Sequence, residues 1–493
     1  MTFMSTSSRD SGSRARPLLP SGLPGTVIAV LFVVAALLPL VAALGTGIEP
    51  VGTFAELATA FGLSAAAFLF LQFWSSGRYE SISGRVGIDR TMGFHRIAAY
   101  ALVAFALLHP LSYLVNTLLA DPAAAWNRLT GMVASPRLRS GVLALAGLLL
   151  IVFLATVRTL PFIRYELWRM SHGPLAIVVA GLVLHHAVTT GTYSAEAPLR
   201  VLWILFACGA VAAILLVYVV RSWRMWREEW RVERVWRVGE RAVEMTLHGP
   251  AATRLRFRAG QFIWMTLAPH RPPFHDHPFS IASAPADLPR LRLLINEVGD
   301  CTRTFERIAP ATRVALDGPH GSFIVPPDKT PVLLIAGGVG IAPLLGMIEE
   351  AAANEDPRPF RLLYAARGER DLVCLDRLRD LQARLNLSVH CLVDAGRHED
   401  QVGTGPLQAR HIHDFVDGVN TQEVVALVCG PPPMMEMVTD AFLEAGVPEN
   451  AVLYERFDFG AGKGRLDRQR RNRALLVIAV VGAAMMAFSL RSI

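Results

Sequence analysis

Six apolar runs occupy the first half of the chain, and a seventh follows much later. They are Thr26–Leu44, Phe54–Trp74, Phe94–Leu119, Gly141–Val157, Gly173–Val188 and Val201–Val220, then Ala474–Leu490. Alone or with their flanks, the first six can cross a hydrocarbon core of ~30 Å as helices rising ~1.5 Å per residue. The seventh is short, but the basic stretch Arg465–Arg473 before it fits insertion from one side, and it reads as a C-terminal membrane helix. Near Trp230 the period changes. Val232-Glu-Arg-Val-Trp-Arg-Val and Ala242-Val-Glu-Met-Thr-Leu alternate as strands do. Short strands punctuated by Gly and Pro continue to about Pro327 and predict a small β-barrel. Beyond it, Pro331–Ala336, Phe360–Ala365, Ser388–Val393, Val424–Cys429 and Ala451–Phe457 read as strands alternating with helices. That alternation implies a parallel sheet with ligands at its carboxyl edge. The expected fold is therefore multidomain: an α-helical transmembrane bundle at 23–222, a β-barrel at 229–328, an α/β parallel-sheet domain at 329–460 and a helix at 474–490. Residues 1–22, rich in Ser, Arg and Pro, read as a disordered tail.

Charge sharpens the topology. The chain of 493 residues carries a net charge of +7. Nucleic acid is not the partner this implies, because the basic residues lie beside the apolar runs. Arg78, Arg85, Arg90 and Arg96 separate the second and third runs, and Arg158, Arg164 and Arg169 the fourth and fifth. Arg221, Arg224 and Arg227 follow the sixth, whereas the loops at 45–52 and 187–200 carry only Arg200. The loop at 120–140 is less clean, with Arg128, Arg137 and Arg139. On balance the positive-inside rule puts the N-terminus and the soluble region in the cytoplasm of a multi-pass cell-membrane protein. The five cysteines, Cys208, Cys301, Cys374, Cys391 and Cys429, form neither a C-x-x-C cluster nor a disulfide framework, which argues against an iron–sulfur centre.

Histidines stand inside two of the runs. His95 and His109 belong to the third, and His172, His185 and His186 to the stretch Ser171–Val188 that takes in the fifth. Ionisable or ligating side chains within membrane spans are functional by default. Fourteen residues of helix cover ~21 Å, so each run places one histidine near each membrane face. With the two helices parallel, His95 faces His172, and His109 faces His185 or His186. Two facing imidazoles clamp one planar metal centre, and two stacked clamps suggest two haems. On a straight helix His186 lies about 40° from the face of His172 and His185 about 140° away. A bend would favour His185, and we take His185 as the expected ligand with His186 as the alternative.

The soluble half has its own chemistry. His277-Pro-Phe-Ser280 follows a strand; Phe279 offers a flat face to a ring system and Ser280 a hydroxyl to a ring nitrogen. Gly299-Asp-Cys-Thr302 supplies backbone N–H groups and a hydroxyl suited to a pyrophosphate. Gly337-Gly-Val-Gly340, between a buried strand and a helix, can seat a second pyrophosphate at the helix N-terminus. Cys429-Gly430 ends another strand at the same edge, where a thiol can touch the reactive ring of a nicotinamide.

The order of His277-Pro-Phe-Ser280, the Gly-rich turn, Cys429-Gly-Pro and Glu455-Arg-Phe457 resembles the ferredoxin-reductase-type dehydrogenase module. Joined to six helices with paired histidines, it resembles the transmembrane NADPH oxidase and ferric reductase superfamily over about residues 26–460. The resemblance implies FAD at His277, Pro278, Phe279 and Ser280, and two b-type haems on His95, His109, His172 and His185. It implies NADPH or NADH at Gly338, Gly340 and Pro343, with Cys429 at the hydride site and Arg367 near a 2′-phosphate. The activity implied is electron transfer from cytoplasmic NAD(P)H to an acceptor on the outer side, either dioxygen or a ferric chelate. The alternatives are electron delivery to an envelope partner protein, or a non-enzymatic scaffold. The run at 474–490 departs from the family pattern, whose chains end near the aromatic of Glu-Arg-Phe.

Overall fold

The computed structural model describes residues 22–492 apart from 76–78, 159, 161–164, 269–274, 298, 300, 328–330, 395–401 and 457–461. The polar tail and Phe457 lie outside the described residues.

The helical half runs α1 (Gly25–Leu44), α2 (Thr53–Gln72), the short α3 (Glu80–Ser83), α4 (Ile88–Ala120), α5 (Pro122–Ala134), α6 (Arg139–Val157), α7 (Tyr165–Thr190) and α8 (Ala197–Ile214). A π-helical stretch, Leu215–Arg221, then leads into α9 (Ser222–Arg227). Among the described residues, seven helices are long and apolar enough to cross a membrane. Apolar side chains such as Val30, Phe153 and Leu205 point outward, as they must where lipid is the solvent. Helix α4 has 33 residues, about 50 Å of helix, so it outruns the hydrocarbon core. It continues through Pro110. Helix α5 occupies a stretch read above only as a loop. Asp121 caps it by accepting a hydrogen bond from the Ala123 N–H at 2.9 Å, and Pro122 fills the first turn, where no N–H is needed.

The first sheet is antiparallel, in the order β4-β3-β6-β1-β2-β5. Its strands are β1 (Trp230–Arg237), β2 (Ala242–His248), β3 (Phe262–Leu267), β4 (His277–Ser280), β5 (Arg290–Asn296) and β6 (Arg313–His320). The expected barrel does not close as a continuous ladder. The edge strands β4 and β5 meet only through an isolated bridge, Ile281 to Leu293, just past the end of β4. Four residues are too few to pair along a whole neighbouring strand, so the sheet curls but stays open.

The second sheet is wholly parallel, in the order β10-β9-β8-β7-β11-β12. It comprises β7 (Val332–Gly337), β8 (Phe360–Ala366), β9 (Leu387–Val393), β10 (Val402–Thr404), β11 (Val425–Cys429) and β12 (Val452–Tyr454). Helices α10 (Ile341–Ala353), α11 (Leu375–Gln382), α12 (Ala409–Val416) and α13 (Pro432–Glu444) cover its faces. Alternation along β7 decides which. Val332, Leu334 and Ala336 join the core that α10 completes, while Leu333 and Ile335 join the core on the α12–α13 side. Both faces are buried, which is why the sequence of β7 is an unbroken apolar run.

Helix α14 (Arg465–Leu490) is nine residues longer than the apolar run at its end. Its basic first turns belong to the nucleotide half: Tyr454 donates to Asp467 at 2.5 Å, and Arg456 pairs with Asp467 at 3.1 Å. Its apolar turns pack against α1, α2 and α4. Just past its far end, Arg491 pairs with the buried Glu56 at 2.8 Å, and Tyr193 donates to the same carboxylate. Chain order, with α4 and α14 both starting at the sheets and leading away from them, puts this lock at the end of the bundle remote from the sheets.

Candidate functional site

The bundle holds histidines at two depths. Near the sheets, His95 sits one turn beyond Met92, which packs with Ile88 against Phe262 and Trp264 of β3. His172 on α7 is its electrostatic neighbour. The Nδ1 atom of His95 lies 2.8 Å from the Ser75 hydroxyl, which is itself 2.6 Å from Gln72 Oε1. The amide of Gln72 also donates to the His95 carbonyl at 3.0 Å. If the Ser75 hydroxyl donates to Gln72, it accepts from His95 Nδ1–H and leaves Nε2 with its lone pair.

At the far depth the case is firmer. His109 Nδ1 lies 2.7 Å from the Ala58 carbonyl. A carbonyl can only accept, so Nδ1 carries the proton and Nε2 is free to bind a metal. The ring facing it belongs to His186, with centroids 6.3 Å apart and planes at 81°. His185 is exposed on the outer side of α7. The inward ring is thus that of His186, as the straight-helix angle has it, and not that of His185.

A haem iron held between two imidazoles would set the distance between their rings, and the far pair has that distance. An imidazole-bound metal sits ~2.0–2.1 Å from nitrogen and so about 3.2 Å from the ring centroid, which puts two gripping rings about 6.4 Å apart. The spacing of His109 and His186 matches. Glycines on the neighbouring helices make room: a Cβ on Gly62 would lie 2.7 Å from the His109 ring, and one on Gly141 2.7 Å from the His186 ring. Larger residues at either place would displace the imidazoles.

The second part of the site is a cleft of ≈1640 Å³ at the carboxyl edge of the parallel sheet, facing the open antiparallel sheet. Pro278, Phe279 and Ser280 line one wall. Gly337, Gly338, Gly340 and Pro343 line another, with Cys429, Gly430 and Glu455 beside them. Arg367, exposed immediately after β8, stands at the rim. The strand order reverses between β8-β7 and β11-β12, so the cleft opens at the topological switch point, where doubly wound sheets bind nucleotides.

Two glycines in the loop differ in what they permit. Gly338 has φ +54° and nothing within 4 Å of where a Cβ would stand, so its backbone is bare towards the cleft. A Cβ on Gly340 would lie 2.2 Å from the Cys429 carbonyl oxygen, so this glycine lets the two loops touch. His277, Gly299 and Thr302 are not among the residues lining the cleft. The Thr302 hydroxyl is engaged with Gly299 at 3.2 Å in its own turn. Arg241 and Arg370 also line the cleft and were missed by the sequence reading, which attended to motifs rather than to lone cations in the connections between elements.

Phe279 is nearly buried and packs against Phe305 with centroids 5.7 Å apart. Truncating it to Ala would therefore hollow the sheet as well as bare the cleft. Phe279→Leu keeps the volume and removes the aromatic face. Loss of such stacking costs on the order of 1–3 kcal/mol, roughly ten- to hundredfold in affinity. The Leu protein is expected to lose FAD on purification and to regain NADPH-driven flavin reduction when FAD is added; FAD retention at the wild-type level would show that the ring is only core.

Cys429 and Glu455 are both buried. Burial pushes the Cys429 thiol up, with the Glu455 carboxyl adding to it. Burial also pushes Glu455 well above the usual carboxylate range, helped by Asp89 and Glu80, and its Oε2 has no hydrogen-bond partner among the described residues. Burial and its acidic neighbours thus favour the protonated form of Glu455 at the cleft wall. The folded state keeps a proton that the unfolded state has lost, so stability falls as pH rises above the ordinary glutamate pKa towards the raised one. Glu455→Gln should flatten that decline in thermal unfolding followed against pH; an unchanged slope would mean the carboxyl is ionised and paired.

Three family descriptions match successive parts of the chain. "Ferric reductase like transmembrane component" covers residues 61–183, "FAD-binding domain" 229–323 and "Oxidoreductase NAD-binding domain" 334–440. The toluate 1,2-dioxygenase electron transfer component of Pseudomonas putida is 33% identical over 148 residues, 29% of this chain and 42% of that one. The reductase component of propane 2-monooxygenase from Mycolicibacterium goodii is 30% identical over 214 residues, 41% of this chain and 59% of that one. The chain thus spans about half the length of these curated relatives. Among solved structures, the Amycolatopsis cytochrome P450 reductase GcoB is similar over 47% of this chain and 69% of its own, at 26% identity and a TM-score of 0.42.

Proposed function

We propose that this chain, which has the ferric reductase/NADPH oxidase-type fusion architecture, moves electrons from NAD(P)H through FAD and two b-type haems to an acceptor across the membrane. The observation that carries the reading is the facing pair His109 and His186, set at the far depth of a bundle whose near end meets β3 and the segment leading into β4, the strand that lines the dinucleotide cleft. The cofactors, when bound, supply the hydride and single-electron chemistry. The chain supplies their seats. Phe279 and Ser280 hold the flavin ring, and the 337–340 loop with Arg367 takes the dinucleotide phosphates. Cys429 stands where hydride passes. His95 with His172 holds the near haem, and His109 with His186 the far one. The arginines gathered at the sheet end, Arg158, Arg169 and Arg221 among them, favour a cytoplasmic dehydrogenase in a cell membrane. We divide the chain at 23–222, 229–328 and 329–460, with α14 as a seventh span.

Steady-state NADPH oxidation by the purified protein tests the reading. It should proceed in a preparation showing a haem Soret band, and should drive either superoxide dismutase-inhibitable cytochrome c reduction or ferric chelate reduction. A preparation that loads FAD but never shows a Soret band would overturn it in favour of a scaffold or a simple reductase. The relatives named as electron transfer and reductase components favour a second reading, delivery to a partner protein. That reading predicts slow turnover with both small acceptors.

A further inference from the structure

The antiparallel sheet reaches the bundle at several points, but one contact stands apart by its position in the chain. Arg169 on α7 forms an ion pair with Asp276, whose side chain is fully buried. The same guanidinium donates to the Asp276 main-chain carbonyl at 3.1 Å, so residue 276 is held by both side chain and backbone. Arg169 lies one helical turn before His172. Asp276 immediately precedes β4, and Phe279 and Ser280 follow within three or four residues. One ion pair therefore joins a haem-ligand helix to the strand that lines the flavin wall of the cleft.

Trp264 completes the joint. It pairs with Pro278 across β3 and β4, its ring lies 5.4 Å from the Arg169 guanidinium, and it packs in a cluster with Ile88 and Met92 of α4. Met92 stands one turn before His95. Both near histidines are thus tied, each through the residue three positions before it, to the same two strands. Among the described residues, further ties lie elsewhere: Arg221 to Asp317 and His320 to Glu80 grip the far end of β6, Arg313 at its start donates to the Trp226 carbonyl of α9, and Arg470 of α14 pairs with Asp89 of α4. None of these holds β4.

We propose that the Arg169–Asp276 pair, seated on Trp264, is the positioning joint that holds the flavin-bearing strand against the near histidine pair and sets the rate of flavin-to-haem electron transfer. The proposal rests on the function proposed above. The step it governs balances simply. Hydride brings two electrons and one proton to the flavin. The electrons leave one at a time, each reducing one ferric iron to ferrous, and the proton returns to the cytoplasmic side. Arg169, Asp276 and Trp264 take no part in the first event, because none of them lines the dinucleotide cleft.

Removing Arg169 alone would leave the buried Asp276 carboxylate without this guanidinium, so the test uses the double variant Arg169→Leu/Asp276→Leu, which removes both charges of the pair. Anaerobic stopped-flow mixing of NADPH with the full-length holoprotein follows flavin bleaching and haem reduction in one trace. FAD content, haem content and the rate of flavin bleaching are expected to match wild type. Haem reduction is expected to slow severalfold or more, because electron tunnelling falls off exponentially as the two redox centres move apart. Arg169→Lys, which keeps the charge but not the planar fork, should recover part of the rate. Hydrogen exchange should quicken at 277–280 but not at β7. Haem reduction at the wild-type rate in the double variant would overturn the proposal, as would a parallel loss of FAD or of flavin bleaching, which would make the pair a plain structural support. If wild-type protein bleached its flavin and never reduced a haem, the underlying function would fail and the joint with it.

Discussion

Purified His172→Leu protein is expected to carry one haem equivalent fewer than wild type, and His109→Leu to lose the other. A leucine has no lone pair, and a single remaining imidazole cannot hold an iron from both sides. The far site allows the sharper experiment, because two adjacent histidines compete for one role. His186 faces His109 at 6.3 Å, whereas His185 is exposed. His186→Ala should abolish the far haem in a pyridine haemochrome assay, and His185→Ala should leave both. Residues behind the ligands should act more weakly. Ser75→Ala removes the hydroxyl 2.8 Å from His95 Nδ1, and loss of such an orienting contact typically costs about 10–100-fold in metal affinity. Full haem content in the His186→Ala protein would mean that α7 is turned the other way, and full content in both single alanine variants would reject the far clamp altogether.

What the sequence made legible follows the range of the interactions involved. The six runs and the parallel strands were readable because burial on one face or both writes a period into the chain. The angle of His186 was readable too, from 3.6 residues per turn; the preference for His185 came from letting a supposed bend override that angle, whereas His186 is the residue that faces His109. Asp121-Pro122 was a usable start signal for α5, overlooked because the segment sits in a short connection. Closure of the barrel was not legible, since it depends on whether two strands distant in sequence pair along their length, and β4 is too short to do so. Nor was the reach of α14. Its arginines read as membrane flank, yet they extend the helix into the nucleotide half, where Asp467 meets Tyr454 and Arg456, while Arg470 meets Asp89 at the start of α4. The Arg169–Asp276 contact was illegible for the same reason: nothing local distinguishes Arg169 from its basic neighbours.

Gly340→Ala is expected to uncouple the nicotinamide from the rest of the chain. Gly340 has an ordinary helical backbone, φ −60°, so alanine meets no conformational objection there. The objection is space. Its Cβ would stand 2.2 Å from the Cys429 carbonyl oxygen and 2.9 Å from the Gly430 nitrogen, both backbone atoms that cannot rotate away. The 337–340 loop must retreat from the 429–430 loop, and the two walls that would hold a nicotinamide between them move apart. Overpacking of this kind costs about 1–3 kcal/mol, and misplacement of about an ångström at a reacting centre costs on the order of a hundredfold in rate. Flavin bleaching by NADPH should therefore slow by that order, while FAD content, haem content and reduction of the haems by dithionite stay at wild-type levels. Gly338→Ala makes the contrast. Its φ of +54° penalises alanine by roughly 1–2 kcal/mol, but the space around it is open. Its effect should fall on apparent affinity for the dinucleotide, because the new methyl group projects where a phosphate would approach. If Gly340→Ala bleached its flavin at the wild-type rate, the contact between these two loops would not be the nicotinamide seat, and the hydride would have to arrive from another wall of the cleft.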